Sequence, residues 1–298
     1  MPEAIGETGF DRVLSFTIPD RDARGRCVRL GPTLDTILSA HEYPAAVRNL
    51  LSEALVLCTL MGSLVKDEGQ LTMQAQSNAG PIELLVCDYR GGELRGYVRH
   101  NTERVEGLGA NPQLGALFGE DAFLAVTFDL SVTGQRYQGI VPFDGATLSE
   151  ACEHYFRQSE QVPSILRVAI SSDGPHTIAG GMLIQHLPDG EEGRERLHVR
   201  YDDPDWEHVA VMGGSVRHGE LIDPSLTLEA MLWRLFHEED ELRVAQGEPV
   251  FRGCRCSVEH YREVLSRFSE NDRLEMRQPD GLVHVDCAFC SKVFELDM

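Results

Sequence analysis

A chain of 298 residues has room for one large domain and a smaller one, and 42% hydrophobic with 25% charged residues reads as globular. Its net charge of −21 repels phosphate backbones and excludes nucleic acid as a general partner, while the longest apolar run, EALVLCTLMGSLV, is interrupted and short for a bilayer span, so no membrane is expected either. The start, MPEAIGETGFD, lacks the basic and apolar regions of a secretory signal, so the expected compartment is the cytoplasm, where thiols stay reduced.

Residues 1–185 read as an α+β domain with antiparallel strands. DRVLSFTI and GRCVRL flank a polar turn and predict a hairpin. In GPTLDTILSAHEY, Thr33 is the expected N-cap of a helix with Leu34, Ile37 and Leu38 on one face. Pro44 opens a longer helix whose apolar residues spread round most of its circumference, the pattern of a buried central helix. Three strand-like runs follow from Gly69 to His100, split by SNAG and RGG turns, and FLAVTFDLSVTGQRYQGIVPF repeats the pattern. Thr147 and Glu150 form a capping box ahead of Leu148, Ala151, Cys152, Tyr155 and Phe156, a helical stripe. SILRVAI and AGGMLIQHL make a last strand pair, and the short connections favour antiparallel pairing.

Residues 186–250 differ in character. From His186 to Val250 there are 16 acidic residues against 6 Arg, nearly half the excess negative charge in about a fifth of the length. LPDGEEGRER and DDPD break structure, yet Trp206, Val209 and Ala210 share one helical face, and Leu228, Met231, Leu232, Leu235 and Phe236 make a clean amphipathic stripe. These helices have little apolar mass of their own and must pack on a neighbour, so the segment reads as a helical, metastable linker.

The terminal unit, 251–298, reads C-x-C, thirty residues, C-x-x-C: Cys254 and Cys256, then Cys287 and Cys290. Ser257 caps a short helix, QPDG is a turn, and LVHVD and SKVFEL form strands either side of CAFC, so both thiol pairs can converge. In a reduced compartment four paired cysteines are the pattern of tetrahedral, thiolate-bound zinc. His260 and His284 are nearby but surplus to a complete shell. A closed four-cysteine site leaves no position for water or substrate and is therefore structural, not hydrolytic. So small a unit buries too little to stand alone, whereas zinc contributes on the order of 10–16 kcal/mol to finger-like folds. Thiolates are also the oxidisable form of cysteine, so oxidation would remove the ligands and melt the unit together.

Cys254-Arg-Cys256 with Cys287-Ala-Phe-Cys290, at this separation, resembles the redox-regulated holdase chaperones of the 33-kDa heat-shock protein family. The resemblance runs along essentially the whole chain, through YPAAVRNLLSEALVLCTLMGSLVKDEGQLTMQAQ, RYQGIVPFDGATLSEACEHYFRQSEQVP, AGGMLIQHLP and MLWRLFHEE. It implies a bacterial cytoplasmic, ATP-independent chaperone that holds one zinc while reduced and inactive. On oxidation such a protein forms two disulfides, releases zinc, loses order in the linker and zinc domain, dimerises, and binds unfolding client proteins. Proximity within a tetrahedral site leaves three disulfide pairings open. The resemblance points to Cys254 with Cys256 and Cys287 with Cys290, in line with the shorter loops those bonds close.

No catalytic constellation assembles, so no enzyme activity is expected. GLGANP fails the dinucleotide fingerprint, no P-loop lysine occurs, and HEEDE lacks the second histidine of a zincin. Cys27, Cys58, Cys87 and Cys152 fall in apolar segments and read as inert buried thiols. A nucleic-acid zinc ribbon needs a basic stripe, but residues 249–298 carry 9 acidic and 7 basic side chains. A dithiol oxidoreductase fits C-x-x-C but lacks its usual βαβ setting.

Overall fold

The computed structural model describes residues 9–65, 69–109, 112–130, 134–143, 146–174, 176–187 and 202–297. The expected first hairpin is β1 (Arg12–Ile18) and β2 (Ala23–Leu30). The cap expected at Thr33 sits earlier in the chain: Gly31 is the N-cap of α1 (Pro32–Leu38), with Pro32 in the first helical position, where its missing N–H and fixed φ are no penalty. The Asp11 carboxylate accepts from the N–H of Gly31 and of Thr33, at 3.0 and 2.9 Å.

Helix α2 (Ala45–Gly62) is the central helix, with 14 of its 18 residues buried. Its length and composition would let it cross a bilayer, but 78% of it is buried inside the protein, where it serves as a core helix. Strands β3 (Gln70–Gln76), β4 (Ile82–Arg90) and β5 (Glu93–His100) follow as expected. Two short helices not apparent in the sequence, α3 (Thr102–Glu106) and α4 (Leu114–Phe118), precede β6 (Phe123–Leu130) and β7 (Gln135–Pro142). Thr147 caps α5 (Leu148–Tyr155), accepting from Glu150 N–H, and β8 (Ser164–Asp173) with β9 (His176–His186) closes the set.

The linker segment supplies α6 (Pro204–Gly214), α7 (His218–Ile222) and α8 (Leu228–Phe236). Its acidic stretch 188–201 lies outside the described residues. Helix ends at Phe236: residues 243–249, expected within a helical linker, form strand β10 (Arg243–Pro249), and the chain continues into β11 (Phe251–Arg252). The terminal unit contributes α9 (Val258–Leu265), α10 (Glu270–Glu275), β12 (Val283–Asp286) and β13 (Val293–Leu296).

The strands build a five-stranded sheet in the order β10-β1-β2-β9-β8, a six-stranded sheet β11-β5-β4-β3-β6-β7, and the small pair β12-β13. All pair antiparallel except β11 with β5. The main core includes α2 with Leu51, Leu55, Leu71, Leu85, Leu124 and Leu183, drawn from both large sheets, so the helix is wedged between them. A second core lies on the other face of the five-stranded sheet. There Leu14, Phe16, Met182 and Ile184 meet Val209, Leu221, Met231, Leu232 and Phe236 of the linker helices, with the Phe16 and Phe236 rings 6.0 Å apart.

The dipeptide Gly180–Gly181 in β9 explains how both layers approach so closely. A Cβ at Gly181 would lie 2.5 Å from Val56 of α2, and one at Gly180 only 2.1 Å from the Leu221 carbonyl oxygen of α7. Neighbouring strand residues point to opposite faces, so the strand is pinched from both sides. Arg29 of β2 completes the docking. Its side chain is 1% exposed and donates to the carbonyls of Leu221, Leu226 and Glu220 at 2.8, 2.9 and 3.0 Å. At the opposite end, Glu239 accepts from Arg21 at 2.9 Å and lies 2.6 Å from His208 Nε2, while Arg21 also pairs with Asp205.

The linker helices therefore pack on the N-terminal sheet. The neighbour they need is this sheet, and among the described residues the terminal unit contributes nothing to their core. Their core holds no residue beyond Leu242, and the terminal unit's core holds none before Cys254. Substituting Gly180→Ala forces α7 off the sheet, and Arg29→Met leaves three carbonyls without their donor, each at a cost of about 2–3 kcal/mol. Hydrogen exchange over 204–236 should accelerate in both variants while 45–62 stays slow; unchanged exchange over 204–236 would contradict this docking scheme.

Candidate metal centre

The C-terminal unit is assembled from short, locally capped pieces. Ser257 caps α9 by accepting from His260 N–H at 3.1 Å, and Ser269 with Asp272 makes a reciprocal capping box at α10. The QPDG turn closes with Gly281 at φ +85 and the Gly281 N–H donating to Gln278 O at 2.9 Å, which returns the chain into β12. β12 and β13 pair from Val283↔Leu296 to Asp286↔Val293, leaving Cys287 and Cys290 on the connecting tip. There Cys287 N–H donates to Lys292 O at 3.0 Å, and Ser291 N–H donates to Cys287 O at 2.8 Å. Cys254 and Cys256 follow β11 directly, so the parallel pairing of β11 with β5 fixes where the first thiols lie.

The structure brings all four sequence-predicted thiols together. Every pair of their sulfurs lies within 4.8 Å, with Cys254–Cys256 at 3.3 Å and both Cys254–Cys287 and Cys256–Cys290 at 3.5 Å. A tetrahedron of sulfurs with metal–sulfur bonds of about 2.3 Å has edges of about 3.8 Å. The four Sγ atoms therefore fit a single metal ion, and an all-thiolate set suits a soft or borderline cation over a hard one. His260 and His284 are exposed, and His284 Nε2 sits 2.8 Å from Asp280.

The thiols are not electrostatically equivalent. Burial raises the Cys287 thiol, but the Tyr261 hydroxyl and the N–H groups of Phe289 and Cys290 outweigh it and hold the group down at about 6. Burial pushes Cys256 and Cys290 above their ordinary range. Cys27, Cys58, Cys87 and Cys152 are fully buried, and desolvation raises all of them, so they are unreactive as thiolates.

Sequence reasoning missed how this tip meets the core. Phe289, between the last two cysteines, lies edge-on to Tyr97 at 4.9 Å and beneath the Arg95 guanidinium at 4.1 Å. His41 Nε2 is 2.9 Å from Ala288 O, and the Ser291 hydroxyl donates to Ala40 O at 2.6 Å. Arg255, between the first two cysteines, donates to Gln70 Oε1 at 2.6 Å. The only sequence signal was an aromatic and an arginine set inside the two cysteine pairs.

Two stacked sheets around a central helix, with a C-terminal four-thiol cluster, define an α+β protein carrying a small unit whose cysteines could hold a metal ion. The family model described as Hsp33 protein matches residues 11–297, and the chain belongs to that family. It is 38% identical to the 33 kDa chaperonin of Caulobacter vibrioides strain NA1000 / CB15N over all of this chain and 99% of that one. It is 29% identical to the 33 kDa chaperonin of Yersinia pestis strain Pestoides F, over 97% of this chain and 93% of the relative. Its fold is similar to the crystal structure of the 33 kDa chaperonin from Thermotoga maritima, with a TM-score of 0.74 at 20% identity, covering 96% and 94% of the two chains.

At pH 7 the raised thiols Cys256 and Cys290 carry their protons, so metal entry releases at least two protons and affinity rises with pH. Zinc titration calorimetry in buffers of differing ionisation enthalpy should count two or more protons per ion. A count near zero would contradict ligation by these thiols.

Proposed function

We propose that the protein is a redox-regulated, ATP-independent holdase chaperone of the bacterial cytoplasm, with no enzymatic turnover. Cys254, Cys256, Cys287 and Cys290 hold one Zn2+ per chain in the reduced, inactive state. The observation that carries this reading is the closed four-thiol cluster set in a terminal unit whose core, among the described residues, has five buried members: Leu265, Val283, Cys287, Phe294 and Leu296. Zinc in such a site supplies folding energy, on the order of 10–16 kcal/mol in small units, with no open position for catalysis.

Oxidation by a peroxide-class oxidant takes two electrons from each cysteine pair, forms one S–S bond per pair, and reduces the oxidant to water. The ligands are thereby consumed. Sulfur distances do not choose the pairing, since 3.3 and 3.5 Å are equivalent here. Loop closure does: once the unit opens, neighbours in sequence stay close, while a bond across the thirty intervening residues would staple the unit shut. The bridges are therefore Cys254 with Cys256 and Cys287 with Cys290.

Loss of the terminal unit frees the strap 243–252 that joins it to α8, and the linker opens. The apolar face of the five-stranded sheet, with Leu14, Phe16, Met182 and Ile184, is then uncovered together with the stripe of α8. Exposed apolar area of this extent binds unfolding proteins and favours homodimerisation. The charge of −21 keeps the open form soluble and disfavours nucleic acid and anionic membranes.

Light scattering of a heat-unfolding client tests this directly. Peroxide-treated, warmed protein should suppress aggregation at stoichiometric amounts, and reduced protein should not; equal behaviour of the two forms, or catalytic insulin reduction, would contradict it. Leu232→Glu places a charge in the fully buried α8 interface at a cost of about 3 kcal/mol or more. That variant should suppress aggregation without oxidant, as read in the same assay.

A further inference from the structure

The linker's last strand is attached in an unusual way. In β10 only Gly247 is even partly buried; the other side chains from Arg243 to Pro249 are exposed. What holds the strand is the antiparallel ladder to β1, Leu14↔Gln246, Ser15↔Ala245, Phe16↔Val244 and Thr17↔Arg243. Two β1 side chains add to it, Arg12 Nη1 donating to Gly247 O at 2.8 Å and the Ser15 hydroxyl donating to Ala245 O at 3.1 Å. Both read main-chain atoms of β10. The edge of β1 thus recognises an extended backbone almost regardless of its side chains.

The setting of that edge supplies the second half of the argument. Along β1, Leu14, Phe16 and Ile18 point to the face covered by the linker helices and belong to the same apolar core. The α6–α8 layer and β10 therefore cover adjoining parts of one surface, an apolar face and the open strand edge beside it. An unpaired edge next to an apolar face is what an extended, unfolding segment fits best: its backbone continues the ladder and every second side chain enters the face.

Building on the switch reading above, we infer that β10 is an in-chain occupant of the client site, and that an extended, apolar-patterned segment of an unfolding protein replaces it by adding as a strand to β1. The register shift between Arg12 and Leu14 limits the continuous ladder to Leu14–Thr17. The docked client segment is accordingly short, about four to six residues, and its sequence is weakly constrained. The other end strand of the six-stranded sheet, β7, is an edge whether or not the strap is attached, so it offers nothing for the switch to control.

The test is residue-resolved hydrogen exchange on the full chain after peroxide treatment, with reduced, carboxymethylated α-lactalbumin as a permanently unfolded probe. Amide protection over 12–18 should fall at least tenfold on activation and recover at least tenfold when the probe is bound, with no matching gain in β7. Probe binding without recovery at 12–18 would overturn the inference while leaving the switch intact. Recovery on raising protein concentration alone would assign the edge to a second copy and overturn it as well. An activated protein that binds no probe at all would instead overturn the functional reading on which the inference rests.

Discussion

Four sulfur atoms held within 4.8 Å of one another are the constraint on which the proposed switch depends. Their unit has a core of a few side chains, and burial pushes two of its four thiols, Cys256 and Cys290, above their ordinary range. On the proposed reading, order in residues 254–296 is conditional on ligand chemistry in a way that order in the main core is not. The main core, with α2 wedged between two sheets, has ample buried area and no such dependence.

The route from that unit to the linker is narrow. The four-thiol tip rests on the outer side of the six-stranded sheet through Phe289, Tyr97 and Arg95. The linker helices rest on the five-stranded sheet through Arg29 and the Gly180 contact. What joins them is the strap of β10 and β11, which changes sheets at Val250. That residue is clamped: its N–H donates to Asp11 O at 2.7 Å, and its carbonyl accepts from the Thr33 hydroxyl at 3.0 Å. The β10 part of the strap is held by backbone bonds at an exposed edge, the kind that open at low free-energy cost, whereas Val250 is buried in the main core and is the firmer point of the route. In this account the linker is cooperative with the terminal unit through the chain itself, with the helices' own packing setting how far opening proceeds.

How much could be read beforehand follows from what each residue does locally. The cysteine spacing, the all-round apolar α2 and the stripe of α8 announce themselves, since motif and 3.6-residue periodicity act over short range. Thr33 misled because a Ser or Thr before an apolar run is a cap signal, while Pro32 beside it carries the stronger constraint on backbone φ. RVAQGEP shows no alternation and contains Gly and Pro, so nothing local marks it as strand; its pairing comes from an open edge more than two hundred residues earlier in the chain. Arg29, one of three arginines in β2, gives no local sign of its role because its partners are carbonyls of Glu220 and Leu221 in α7 and of Leu226 beyond it, distant in sequence. Phe289 was visible, but its docking partners were not.

The central claim is that order in the linker depends on ligation of the four thiols, and removing the metal without any oxidant tests it most directly. Reduced protein treated with a zinc chelator should lose amide protection over 258–296 and, together with it, over 204–252, while 45–62 remains slow. Loss confined to 258–296, with 204–252 still protected, would show that the terminal unit and the linker are independent and would contradict the account.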